Sequence, residues 1–300
     1  MKEKHMIVVM VVVLLMLTIR LFSNKKQQQT VSVNGDEFNS TDELAVFVTL
    51  ENEIAIHNQL IQEDVESKKT PEYSSRYPNL YAVPKTEWDQ IEEEKKICYL
   101  TFDDGPSENT LQVLDTLDKY KIKAVFFVIG SEVLLDEKNQ EILKEVSERG
   151  HLIALHTYSH DYKKIYASVD AFLDDYEKVF NVIEELTGQR PYIFRFPGGS
   201  YNSCVKYIRR DIITEMKRRG FIYYDWNVSG EDSVGHPSKY TILKNIKRDL
   251  NRYHLPVVLL HDGQANKITA NSLEDIIKYI QEQGYEFGRL DERTPCQFRW

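Results

Sequence analysis

From Lys96 onward, short apolar runs alternate with longer amphipathic stretches, and no other feature constrains the fold as strongly. The runs are "ICYLTF", "AVFFVIG", "HLIALH", "YIFRF", "FIYYDW" and "PVVLLH". Between them lie stretches such as "NTLQVLDTLDKY", "QEILKEVSERG", "AFLDDYEKVFNVIEELTG", "VKYIRRDIITEMKRRG" and "LEDIIKYIQEQG". Strands alternating with helices of that length make βα units and hence a largely parallel sheet. Gly150, Gly188, Gly220 and Gly284 close helical stretches, where a left-handed C-cap takes glycine most readily. With a last strand near "YEFGRL" there are about seven such steps, too many for a small open sheet. The chain is therefore expected to be α/β: a distorted or incomplete (β/α) barrel of about seven parallel strands, following an N-terminal hydrophobic segment and a partly helical extension. Chemistry in such a barrel belongs at the C-terminal ends of the strands.

The 300 residues have room for one large domain or two modest ones. "MKEKH" precedes a run from Met6 to Ile19 that is apolar except for Thr18, then Arg20, Leu21 and Phe22. The run suits a signal-peptide core, typically about 7–15 residues, yet no small-residue cleavage site follows. With Arg20 snorkelling it just spans a thin bilayer. Residues 1–23 are thus expected to be an uncleaved single-pass anchor with the working domain outside, the alternative being a cleaved signal and secretion. Residues 24–95 read as a tether and N-terminal extension: a polar Gln-containing stretch, a helix-compatible segment from Asp42 to Glu66, and a Pro- and Tyr-rich connector that can lie against the main domain. Residues 96–300 are the expected main domain. A formal net charge of -9 argues against nucleic acid as partner, since polyanions need a basic patch. Cys98, Cys204 and Cys296 form no close-spaced metal or redox pattern and read as packing residues.

The polar residues test the barrel rule. "ICYLTF" runs into Asp103-Asp104-Gly105-Pro106, and "HLIALH" ends at His156, followed by Thr157-Tyr158-Ser159-His160. "YIFRF" contains Arg195 and leads into Pro197-Gly198-Gly199; "FIYYDW" ends in Asp225-Trp226, and "PVVLLH" in His261, followed by Asp262. Each alone is ordinary: Asp-Asp-Gly-Pro makes a turn, and a histidine after "VVLL" packs in a core. Five strands delivering acids, histidines and an arginine to one end of a sheet is not ordinary. Adjacent side chains on an extended chain point to opposite sides, so Asp103 and Asp104 are expected to do different things. His156 and His160, four apart, would stand about 5–6 Å apart at Cβ and converge on a cation if the segment makes one helical turn.

"TFDDGPS", "HTYSH", "RFPGG", "YDWN" and "LLHD", in this order, resemble the five motifs of the NodB-homology polysaccharide deacetylases, carbohydrate esterase family 4, including its membrane-anchored peptidoglycan N-acetylglucosamine deacetylases. The resemblance runs from Lys96 to Leu290. It implies that Asp104, His156 and His160 hold a divalent metal, zinc first and cobalt or another ion next. It implies that Asp103 is the general base for the attacking water, tethered by Arg195, and that His261 is the acid for the departing nitrogen, held as imidazolium by Asp225. Gly198 would offer its N–H to the oxyanion, although many family members carry a bulky aromatic there. Trp226 and Leu259 would line the pocket for the acetyl methyl. Glu231, Asp232 and His236 read as a polar loop, with sugar contact as the alternative. The implied reaction is hydrolysis of N-acetyl groups on an N-acetylglucosamine glycan: peptidoglycan first, with chitin-type oligomers, another poly-N-acetylglucosamine or acetylated xylan as alternatives. Of two rival readings, a catalytically silent glycan-binding module would be expected to have lost part of this set. A glycoside hydrolase with a carboxylate pair leaves the histidines without a task.

Overall fold

The structure is a computed structural model and describes residues 73–83 and 95–298. Among the described residues there are eight strands: β1 (Ile97–Asp103), β2 (Val125–Ile129), β3 (Leu152–Thr157), β4 (Ile193–Phe194), β5 (Ile222–Tyr223), β6 (Val228–Ser229), β7 (Val257–His261) and β8 (Glu286–Phe287). The helices are α1 (Glu108–Lys119), α2 (Gly130–Val133), α3 (Glu137–Glu148), α4 (Tyr162–Ile165), α5 (Val169–Thr187), α6 (Arg209–Arg218), α7 (Lys239–Asp249) and α8 (Lys267–Glu282). Strand order is β5-β4-β3-β2-β1-β7-β6, with β8 also on β1. Every pairing is parallel. This is the incomplete barrel expected from the alternation. Strand β6, directly after the "FIYYDW" run, is one the sequence pattern does not announce.

Alternation along the strands builds two cores. Cys98, Leu100 and Phe102 of β1, with Phe126 and Val128 of β2, join a large cluster under the helices. Tyr99, Val125 and Phe127 join a smaller cluster inside the barrel, with Ala154, Ile193, Tyr224 and Val257. Because successive side chains point to opposite faces, Asp103 shares the inward face with Tyr99 and Thr101. Helix α5 shows how a covering helix is specified. The Ser168 side chain accepts from Ala171 N–H at its start, and Gly188 at φ 70° ends it in the left-handed region. Phe172, Leu173, Tyr176, Val179, Phe180 and Ile183 are buried at three- and four-residue spacings. Each such burial stabilises by about 1.5–3 kcal/mol.

The two end strands, β5 and β6, do not pair with each other. Residues 293–298 lie along the seam. Asp225 N–H donates to Cys296 O at 2.7 Å, the Tyr224 hydroxyl to Arg293 O at 2.8 Å, and the Gln297 side chain to Tyr223 O at 3.3 Å.

Residues 73–83 belong to the same compact unit as the barrel. Tyr77 and Leu80 are buried, and the Tyr77 hydroxyl donates to Asp170 Oδ1 at 2.6 Å. Arg219, 1% exposed, donates to the carbonyls of Tyr73, Tyr77 and Leu80 at 2.7–2.9 Å and to Glu215 Oε1 at 2.7 Å. The hydrophobic run and the Asp42–Glu66 segment lie outside the described residues; among those described, no helix is long and apolar enough to cross a membrane. Arg219→Ala leaves three carbonyls without their donor, while Glu215 keeps Arg218, so unfolding in urea should show a loss of about 3 kcal/mol. Limited proteolysis should then cut within residues 73–83 at protease concentrations that leave the parent intact.

Candidate active site

The two aspartates of the first turn both approach His156, and the backbone explains how. Asp103 leaves β1 on the inward face, 3% exposed. At Asp104 the chain turns left-handed, with φ 72°, which swings the next carboxylate round instead of sending it to the opposite face. Asp is among the few residues that enter this region, at a cost of about 1–2 kcal/mol. Asp104 Oδ1 then lies 3.3 Å from His156 Nε2 and 3.4 Å from His160 Nε2, while Asp103 Oδ2 is 3.9 Å from His156 Nε2. The acids differ in partners rather than in direction.

Asp103 faces Arg195, which is fully buried. Arg195 Nη1 donates to Asp103 Oδ1 at 2.7 Å and to Thr101 Oγ1 at 2.9 Å; Nε donates to Tyr224 O and Nη2 to Asp225 O. The guanidinium carbon lies 4.0 Å from the centre of the Phe127 ring and 5.6 Å from that of Trp226. The Arg195 carbonyl accepts from His156 Nδ1 at 3.1 Å and from the Tyr176 hydroxyl at 2.7 Å. With Nδ1–H so engaged, the lone pair of His156 sits on Nε2, toward Asp104.

Asp104, His156 and His160 each offer one ligand atom, and these atoms lie within 4.8 Å of one another. Asp104 Oδ1 is buried without a hydrogen-bond partner among the described residues. A buried acceptor facing two imidazole nitrogens suits a divalent cation, so the residues present fit a metal. Burial alone would raise the Asp104 pKa, but the neighbouring His156 and His160 hold it well below the carboxylate range. Burial, with the charge of His156 next, lowers that of His160. The histidines do not share the helical turn the spacing suggests. His156 lies in β3 one residue before its end, and His160 stands past a bend with its own φ at 50°, with the rings 5.3 Å apart. What shapes this bend is Asp175 of α5, 1% exposed. It accepts from the Thr157 hydroxyl, from Tyr158 N–H at 2.6 Å, and from both N–H and hydroxyl of Ser159 at 3.2 and 2.6 Å. No sequence signal marks Asp175, since one acid on an amphipathic helix reads as surface.

His261 is the cross-strand partner of Asp103 in the β1–β7 register, so base and acid candidates stand side by side. Its holder is not Asp225. Asp232 Oδ1 meets His261 Nδ1 at 2.9 Å, and Asp232 Oδ2 accepts from His261 N–H at 2.8 Å and from the Thr269 hydroxyl at 2.6 Å. Burial disfavours the imidazolium, yet the hydrogen bond and charge of Asp232 outweigh it and push the His261 pKa up to about 9. Asp225 is corrected to another role because it lies on the β5 side of the seam, whereas His261 belongs to β7 on the β6 side. The Asp225 carboxylate accepts from Ser200 N–H and hydroxyl at 2.8 and 2.7 Å and from Phe298 N–H at 2.8 Å, tying the Gly198–Ser200 turn to the seam segment. Asp232 was legible only as part of "SGEDSVGH", where nothing local distinguishes it from a loop acid.

Gly198 is exposed at φ 73°. Leu259, two residues before His261 on β7, shares its face and belongs to neither core cluster. Trp226 is half-buried and meets Phe298 edge-on at 5.3 Å.

A parallel half-barrel carrying an acid–histidine–histidine cluster beside a facing aspartate–histidine pair defines a hydrolase-type site. Residues 90–216 match the polysaccharide deacetylase family model. A peptidoglycan-N-acetylglucosamine deacetylase of Bacillus cereus is 32% identical over 211 residues, covering 68% of this chain and 90% of that protein. The crystal structure of the catalytic domain of a peptidoglycan N-acetylglucosamine deacetylase from Eubacterium rectale is 37% identical, covering 71% of this chain and 97% of that one, with a TM-score of 0.65. A carbohydrate esterase family 4 pseudoenzyme from Bacillus anthracis is 26% identical over 67% of this chain and 66% of its own, with a TM-score of 0.55. The chain belongs to the polysaccharide deacetylase family.

An acid acting through His261 works while the imidazole is protonated, hence below about pH 9, and fails as pH rises through that value. Asp232→Asn removes the carboxylate that raises this pKa, so the alkaline limb of kcat/KM should move down by one pH unit or more. Asp225→Asn should leave that limb in place.

Proposed function

We propose that the protein hydrolyses N-acetyl groups of an N-acetylglucosamine-containing glycan, peptidoglycan first, releasing acetate and leaving a free amine. The observation that carries this reading is the pairing of Asp103 with His261 across β1 and β7, with the Asp104–His156–His160 cluster beside it. Zinc is the first choice for the cluster and cobalt the second, from its one carboxylate and two imidazole donors. A divalent ion supplies Lewis acidity there, polarising the acetyl carbonyl and acidifying water.

The chain's own residues do the rest. Asp103, fixed in direction by Arg195, takes the proton of the attacking water as the new C–O bond forms. The Gly198 N–H is a donor for the negative charge that develops on the carbonyl oxygen. His261 gives its proton to the amide nitrogen as the C–N bond breaks, and Asp232 holds the imidazolium ready for that transfer. Leu259 and Trp226 offer an apolar pocket for the acetyl methyl. Relatives named as peptidoglycan deacetylases support that polymer over chitin-type oligomers, another poly-N-acetylglucosamine or acetylated xylan. Residues 1–23, as a membrane anchor or signal, would put residues 96–300 outside the cell with residues 24–95 as spacer. A silent glycan-binding module is the weaker reading, since a decayed site would be expected to have lost at least one of the candidate ligands, base, acid or tethers.

Acetate release from peptidoglycan and from N-acetylglucosamine oligomers by zinc-loaded protein tests the proposal. Chelator should abolish it, and Asp103→Asn should lower kcat by about 100-fold or more. Acetate release indifferent to both would reject the assigned roles; none from either substrate would favour the binding module.

A further inference from the structure

Helix α4 follows directly on His160, and its first residue, Tyr162, reaches across to the Gly198 turn. A Cβ placed on Gly198 would fall 2.8 Å from the Tyr162 hydroxyl oxygen and 3.1 Å from its ring. The phenol therefore occupies the space that a side chain at 198 would need. Glycine answers two demands here, since the backbone is left-handed at φ 73° as well. The Tyr162 ring is held on two sides. It stands edge-on to His160 at 5.5 Å and to Tyr166 at 5.8 Å, and the Tyr166 hydroxyl is anchored on Pro197 O at 2.9 Å. Tyr162 is half-buried, and its hydroxyl makes no hydrogen bond to a described residue. A fixed aromatic ring with an unengaged donor at its tip, set between a metal-ligand candidate and the Gly198 turn, is suited to meet a ligand rather than to fill a core.

We propose that Tyr162 is a substrate-binding residue, its hydroxyl donating a hydrogen bond to an oxygen of the bound N-acetylated sugar beside Gly198. The identity of the sugar rests on the deacetylase reading; the placement of the donor does not. The α4 turn thus contributes to recognition of the glycan from the side opposite the β7 acid.

The test uses the full chain carrying Asp103→Asn, loaded with cobalt, and the trisaccharide of N-acetylglucosamine as probe, with binding measured by calorimetry. Tyr162→Phe removes one hydrogen bond and should weaken binding about five- to tenfold while leaving the cobalt absorption spectrum unchanged. Gly198→Ala should weaken binding alone, and less so beside Tyr162→Ala, because the two side chains compete for one space. Binding within twofold of the parent for Tyr162→Phe overturns the proposal. So does a shifted cobalt spectrum accompanying lost binding, which would mean that Tyr162 acts only by packing His160, and so does a parent that fails to bind the probe. Tyr162-dependent binding without acetate release from the Asp103-containing chain would leave this inference standing and reject the deacetylase reading.

Discussion

The site depends first on one buried cation. Arg195 is fully enclosed, and an unpaired guanidinium there would cost several kcal/mol, so the surrounding chain must supply acceptors. It does so from two directions: Thr101 and Asp103 on β1, and the carbonyls of Tyr224 and Asp225 beyond β5. The side chain therefore crosses the barrel interior and sets the separation of its two sides. Its carbonyl positions His156 from the other end. Asp103 and His156 are thus referred to a single residue, and a shift of that residue displaces both.

Three further carboxylates do comparable work around the site. Asp175 shapes the bend that carries His160, Asp232 sets the tautomer and charge of His261, and Asp225 holds the Gly198–Ser200 turn to the seam. All three are nearly or fully buried, and all meet several donors, which is the condition under which a buried acid is tolerated. Preorganisation is achieved by spreading the cost of burial over many hydrogen bonds.

What the sequence made legible follows from range. The alternation of runs is a local pattern with a local cause, so the parallel half-barrel could be read from it, as could the gathering of Asp103, His156, Arg195 and His261 at one end. Two-residue strands such as β4 and β6 are set by neighbours across the sheet and leave little local trace. The misassignment of Asp225 has the same origin. Adjacency to Trp226 in "YDWN" put it in the right motif, but which acid reaches His261 is decided by the seam between β5 and β6, a property of topology. The left-handed turn at Asp104 was likewise hidden, because Asp before Gly-Pro is compatible with several turns.

The open seam has a consequence of its own. One side of the site is bounded by residues 293–298, an irregular segment held by a few hydrogen bonds, with Phe298 against Trp226 and close over Gly199. A closed barrel would tie the shape of that boundary to strand register, where a change of one residue reverses every side chain. Here the boundary can vary while the strands and the Arg195 contacts stay as they are. The seam is thus a place where divergence can explore new glycan shapes at little risk to the catalytic framework.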